Sequence, residues 1–291
     1  MKKSIFVIAG CFILLLVMLT VVFRFINIPL LVRQPSASSE TLFRGITYER
    51  EVRRDPRDMV IHIVTIDLKA NGIKVLVTPG EEGEELPLSA RTTSEFLQDF
   101  DLQLAINGDA FFPWSVTGPF YSPHSGEAVD VYGYAASKGM VYSEGKDGLP
   151  TLFIYKNNKA SINSLIGKVH NAISGTKLLI QRGKLLDDLG DNVQPRTAVG
   201  LDSAGRRLII VVVDGRQPGY SVGATLIEVA QILLDHRVYV GFNMDGGGSS
   251  TLVMAGEDGD AVLLNSPIHI RIARNERPVG NHLGIYAKKS D

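Results

Sequence analysis

The stretch Arg207–Met254, RLIIVVVDGRQPGYSVGATLIEVAQILLDHRVYVGFNMDGGGSSTLVM, decides the fold. It opens on Arg207–Val213, an apolar and β-branched run that reads as a strand. Ser221–Asp235 then places Leu226, Val229, Ala230, Leu233 and Leu234 at i, i+3, i+4, i+7 and i+8, the spacing of one helix face. Val238–Asn243 and Thr251–Met254 read as strands again, on either side of three consecutive glycines. One helix thus serves three strands.

The same imbalance holds outward from that stretch. Met59–Ile66, Ile73–Thr78, Leu102–Ile106, Thr151–Tyr155, Lys177–Gln181 and His282–Ala287 are further strand-like runs. Only Ser89–Phe100, with a Ser/Thr cluster and Glu95 at its start, reads as a second helix. Strands that outnumber helices without alternating with them imply an α+β body: a mixed or antiparallel β-rich core with a few helices packed on it. Glu81–Glu85 is a charge run of the kind found in solvated loops. There is also a weak internal echo. Each helical stretch feeds a strand that ends in Asn-x-Asp, first Asn107-Gly108-Asp109 and then Asn243-Met244-Asp245. Either strands are common enough for chance to produce this, or two strand ends face one cleft.

The chain has 291 residues, 45% of them hydrophobic, enough for a sizeable core. A formal net charge of -1 argues against a nucleic-acid partner bound by phosphate neutralisation. The single cysteine excludes a disulfide framework and a multi-cysteine zinc site, and the six histidines show no paired-ligand spacing. Charge is unevenly spread. Residues 1–34 hold Lys2, Lys3, Arg24 and Arg33 and no acid, which leaves the rest at -5. Ile5 to Phe23 is a 19-residue apolar run behind two lysines, long enough to approach a membrane span. We therefore expect an uncleaved N-terminal transmembrane signal anchor over residues 1–33, with the body outside the cytoplasm and the membrane as a partner. Residues 34–40, QPSASSE, read as a tether, and a single folded body is expected over 41–291.

Chemistry concentrates at strand ends. In Asn243-Met244-Asp245-Gly246-Gly247-Gly248-Ser249-Ser250-Thr251 the glycines leave backbone amides free to approach phosphate oxygens, and Ser249, Ser250 and Thr251 add hydroxyls. No lysine follows the glycines, so this is not a Walker loop, and no closing glycine makes a nucleophile elbow. Asp245 is a carboxylate placed for acid or base work. Asp214-Gly215-Arg216 ends another strand with an acid and a guanidinium suited to a bidentate phosphate contact, and Arg196 precedes a further strand. Asn107 and Asp109 stand beside Phe111 and Phe112, and Glu228 lies on the helix read over Ser221–Asp235. Asp109, Asp214 and Asp245 could share a divalent cation if their strand ends converge, though no spacing fixes this.

Taken in order, Asn-Gly-x-x-Phe from Asn107, Arg-Thr-Ala-x-Gly from Arg196, Asp214-Gly215-Arg216, the Glu228 helix, Asp245 to Thr251 and Arg-Pro-Val-x-Asn-x-Leu-Gly from Arg277 form a set. That set resembles the phosphodiester glycosidase family over about Asn107 to Ala287. The resemblance implies hydrolysis of a sugar-1-phosphate diester to free sugar and phosphomonoester, in exopolysaccharide or cell-envelope metabolism. It implies Asp245, with Glu228 or Asp214, as catalytic carboxylates. Asn107, Arg196, Arg216, Gly246, Gly247, Gly248, Ser249, Ser250, Thr251 and Arg277 would hold the phosphoglycan. No cofactor is required by this reading. A non-catalytic glycan-binding module of polysaccharide machinery is the alternative, and the acids beside the glycine loop favour the enzyme.

Overall fold

The computed structural model describes residues 35–117 and 120–290. The expected signal anchor lies outside the described residues, and among those described no helix is long and apolar enough to cross a membrane. Pro35–Asp291 is one compact unit. Its folded part starts earlier than the expected tether allows, because Ser38–Phe43 already forms a strand paired with Ile46–Arg53.

The central sheet has eight strands in the order Ser38–Phe43, Ile46–Arg53, Met59–Asp67, Arg207–Val213, Arg196–Leu201, Val240–Asn243, Lys177–Gln181 and Lys184–Leu185. A second sheet of five runs Ala261–Leu263, Leu252–Ala255, Leu104–Asn107, His282–Tyr286 and Lys74–Val77. A third, around Thr151–Ile154 and Asn171–Ser174, also has five strands, and its Leu152, Ile154 and Ile173 join the main core. Every ladder between these strands is antiparallel. The core is mostly β, and the helical share is smaller than an α+β body suggests: two α-helices among the described residues.

Burial on both faces explains the unbroken apolar run of residues 208–213. Leu208, Ile210 and Val212 point into the core shared with the five-stranded sheets. Ile209, Val211 and Val213 point the other way, onto Val229, Ala230 and Leu233 of helix α2, Leu226–Asp235. A strand buried on both sides has no polar face to alternate with. The other helix, α1 (Thr93–Asp99), lays Phe96 and Leu97 on the second sheet. Both helices open on a capping box, Thr92 with Glu95 and Thr225 with Glu228, which satisfies amides that a first helical turn leaves without partners.

The glycine loop is the crossover between sheets. It leaves the eight-stranded sheet at Asn243 and enters the five-stranded one at Leu252. The end of Leu104–Asn107 meets it there: the Asp245 amide donates to the Gly108 carbonyl at 3.1 Å. The two Asn-x-Asp segments of the sequence echo thus converge at one place.

Candidate active site

Asp245 sits half-buried where the sheets meet. Its Oδ1 accepts from the Gly246 amide at 2.9 Å and its Oδ2 from the Ser249 hydroxyl at 2.5 Å. Desolvation raises its pKa, while the Ser249 bond, the Arg277 charge, the Gly246 amide and the Arg216 charge pull it back down. The carboxylate is thus held between burial and a cationic wall.

That wall has three guanidinium groups. Arg277 donates Nη1–H to Ser249 Oγ at 3.2 Å and Nε–H to His269 Nδ1 at 3.3 Å, and stacks on Trp114 with Cζ 4.8 Å from the ring centre. Arg216 donates Nε–H to Gln194 Oε1 at 2.8 Å, and its charge acts on Asp245. Arg196 is turned to backbone carbonyls, those of Ala224 at 3.2 Å and Asn192 at 2.5 Å, with its charge facing Arg216. Among the described residues none of the three forms an ion pair with a carboxylate. His269 is buried and its pKa falls to about 4, through burial and then the Arg277 charge, so the imidazole is neutral and can accept from Arg277.

The glycines make room for these side chains. A Cβ on Gly247, which also has φ +62°, would stand 2.8 Å from Arg216 Nη2, and one on Gly248 would overlap Nη2 of Arg277. The amides expected to cradle phosphate are largely spoken for. Gly246 N–H goes to Asp245, Gly247 N–H to the Pro195 carbonyl at 2.9 Å, and Ser249 N–H to the Gly246 carbonyl at 3.2 Å. Ser250 and Thr251 are buried with hydroxyls that find no partner among the described residues, so Ser249 is the hydroxyl that reaches the site.

Other expected residues are brought near but tied up. Asn107 is buried, donating to the Asp245 carbonyl at 2.8 Å and accepting from Thr197 Oγ1 at 2.8 Å and Thr251 N–H at 3.2 Å. Asp214 is buried with four donors: His62 Nε2 and Tyr220 OH on Oδ2, Asn265 Nδ2 and Ser266 N–H on Oδ1, all within 3.0 Å. Glu228 serves the Thr225 cap and pairs with Arg57, so its carboxylate is engaged at a helix start. Asp109 lies beside Asp245, its two oxygens taking the Ala110 and Gly133 amides at 2.7 Å each. Burial, with the Asp245 and Asp130 charges, lifts its pKa to about 7 against those amides. Asp109 and Asp214 do not join Asp245 in a ligand set: among the described residues no three His, Cys, Asp or Glu side chains are grouped to hold a metal.

With this geometry in view, a profile of the phosphodiester glycosidases matches residues 71–286, most of the chain. The chain belongs to the phosphodiester glycosidase family. No curated protein matches it. Among solved structures, the zebrafish N-acetylglucosamine-1-phosphodiester alpha-N-acetylglucosaminidase catalytic domain, auto-inhibited by its pro-peptide, superposes with a TM-score of 0.59. The two share 20% identity, and the match covers 88% of this chain and 85% of that one. A hypothetical protein from Synechocystis gives a TM-score of 0.58 at 14% identity, over 88% of this chain and 64% of that one. At such identities the structures establish a shared fold, and the family profile establishes a hydrolase.

Within this phosphodiester glycosidase the elements around Asp245 include two that the sequence patterns do not single out. His269 looks like any of six scattered histidines. Trp114 follows Phe111-Phe112-Pro113, an aromatic cluster whose nearness to Arg277 only the fold reveals.

Proposed function

We propose that this chain hydrolyses a sugar-1-phosphate diester at the glycosidic bond, releasing free sugar and a phosphomonoester. One observation carries the proposal: the charges of Arg216 and Arg277 act on Asp245, and among the described residues neither arginine forms an ion pair with a carboxylate. A single half-buried carboxylate facing surplus cations suits a ligand with one negative charge next to an electrophilic carbon.

The roles follow from the contacts. Arg216 and Arg277 hold the phosphate and stabilise its charge as the C1–O bond breaks, with the electron pair going to the phosphate oxygen. Ser249 links clamp and carboxylate, bonded to Arg277 and Asp245 together. Asp245 supports the developing oxocarbenium ion, as nucleophile at C1 or as base to a water. Both routes place the water oxygen on the sugar. Asn107 and Asp214 act through position, Asn107 on the Asp245 backbone and Asp214 on the turn that carries Arg216. Glu228 fixes the start of α2. Arg196, held by the Ala224 and Asn192 carbonyls, adds positive charge beside Arg216.

The apolar, lysine-led residues 1–33 support a single-pass membrane anchor with the body outside the cytoplasm, and hence a phosphoglycan of the envelope or exopolysaccharide as substrate. The test is hydrolysis of a sugar-1-phosphate diester in water enriched in heavy oxygen. Label in the sugar is the expected result. Label in phosphate would mean cleavage of the P–O bond, and absence of turnover would mean a binding module; either result removes the proposal.

A further inference from the structure

Among the described residues the hairpin Ser115–Thr117 and Phe120–Ser122 pairs only with itself, and it exposes large apolar side chains. Trp114 at its base is 47% exposed, Val116 47% and Phe120 76%. Arg277 lies over the Trp114 ring, and about half of the residue remains exposed. Tyr121 on the same hairpin meets His269 edge-to-face at 4.5 Å, and His269 accepts from the same Arg277. The hairpin is therefore fastened at two points to the arginine that reaches Ser249 and Asp245.

We propose that Trp114 is a stacking platform for a saccharide aglycone, the group that leaves with the phosphate. The inference rests on the reading of Arg277 as a phosphate clamp. A ligand phosphate on Arg277 has its next substituent beside the ring that Arg277 covers, and an exposed aromatic face matches the C–H face of a pyranose. Ser115, Thr117 and Ser122 interleave hydroxyls with the apolar groups, as a ligand that is apolar on its faces and polar at its edges requires. A lipid surface fits less well. Residues 111–131 carry Glu127 and Asp130 and no lysine or arginine to hold anionic head groups.

Trp114 is the one tryptophan of the chain, so its emission reports occupancy of the platform directly. The experiment titrates the full-length protein with a hexose 6-phosphate, inorganic phosphate, octyl phosphate and a nucleoside monophosphate. Hexose phosphate should change the emission with a dissociation constant about tenfold below that of inorganic phosphate. Octyl phosphate and the nucleotide should bind no better than inorganic phosphate. Equal affinity for hexose phosphate and phosphate overturns the proposal, as does tighter binding of the lipid-like or nucleoside ligand. In parallel, Trp114→Leu keeps an apolar cover on Arg277 without the ring. The ratio of kcat/KM for a hexosyl diester to that for a methyl diester of the same sugar phosphate should drop about tenfold. An equal loss on both diesters would leave Trp114 as a support for Arg277 alone and overturn the platform. Hexose phosphate binding without hydrolysis of any diester would instead sink the proposed reaction while the platform stands.

Discussion

The side-chain amide of Asn107 donates to the backbone carbonyl of Asp245 at 2.8 Å, so a strand of one sheet positions the carboxylate carried on the loop that leaves another. The same side chain accepts from Thr197 and from the Thr251 amide, which fixes its orientation. Asn107→Asp preserves shape but sets an oxygen against the Asp245 carbonyl. Stability should drop by about 1–3 kcal/mol through the lost buried bond. Turnover should fall about 100-fold, because the Asp245 backbone moves. Denaturant unfolding and kcat measured on one preparation check both; a destabilised variant with wild-type kcat would separate Asn107 from the site.

Gly248→Ala tests the clamp without touching an arginine. The added methyl meets the far end of the Arg277 side chain, which can swing away while the backbone stays. The fold should persist, with kcat/KM reduced about 100-fold as a phosphate donor leaves its place. A variant with unchanged kinetics and a folded spectrum would show that Arg277 does not hold substrate.

Asp245→Asn addresses the chemistry itself. The amide can still accept from Gly246 N–H, and the Ser249 hydroxyl can reverse its role and accept from the new NH2. Removing a carboxylate whose charge burial disfavours should leave stability equal or improved. Activity should fall on the order of 1,000-fold or more, since neither nucleophile nor base remains. Steady-state rates with thermal unfolding decide this, and retained turnover would reassign the catalytic carboxylate.

What was readable in the sequence divides along the range of the interactions. Met59–Asp67 and Arg207–Val213 announce themselves because burial on both faces makes them predominantly apolar. Ile46–Arg53, ITYEREVR, is missed because its outward positions are charged and its pairing with Met59–Asp67 is a tertiary fact. The glycine loop marks the place of the site, yet not why the glycines are there, since Arg277 arrives from a distant segment. Asp214 and Asp245 look alike as acids at strand ends. His62, Tyr220, Asn265 and Ser266, all brought in by folding, saturate one and leave the other at the cleft. Thr225-x-x-Glu228 has capping-box spacing, a local signal that setting Glu228 among the catalytic candidates passed over.

Asp109 makes the pH dependence of stability testable residue by residue. Its folded pKa stands near 7 against 3.8 for the unfolded chain, chiefly because the carboxyl is buried. Between those values the unfolded chain has released a proton that the folded protein keeps. The carboxyl's contribution to stability therefore declines as pH rises through that window and levels off above about 7. Asp109→Asn cannot titrate. It loses an acceptor for the Ala110 or Gly133 amide, a penalty that is the same at every pH. Relative to wild type, the variant should gain about 3 kcal/mol between pH 5 and pH 8, at about 1.4 kcal/mol for each pH unit of displaced titration. Comparing the two proteins cancels the opposite dependence of His269 and His282, whose folded pKa values lie below the unfolded one and whose contributions weaken on acidification. Denaturant midpoints at pH 5, 6, 7 and 8 supply the measurement. A gap between the two proteins that stays constant across that series would mean Asp109 is ionised throughout, and that its two amide bonds outweigh its burial.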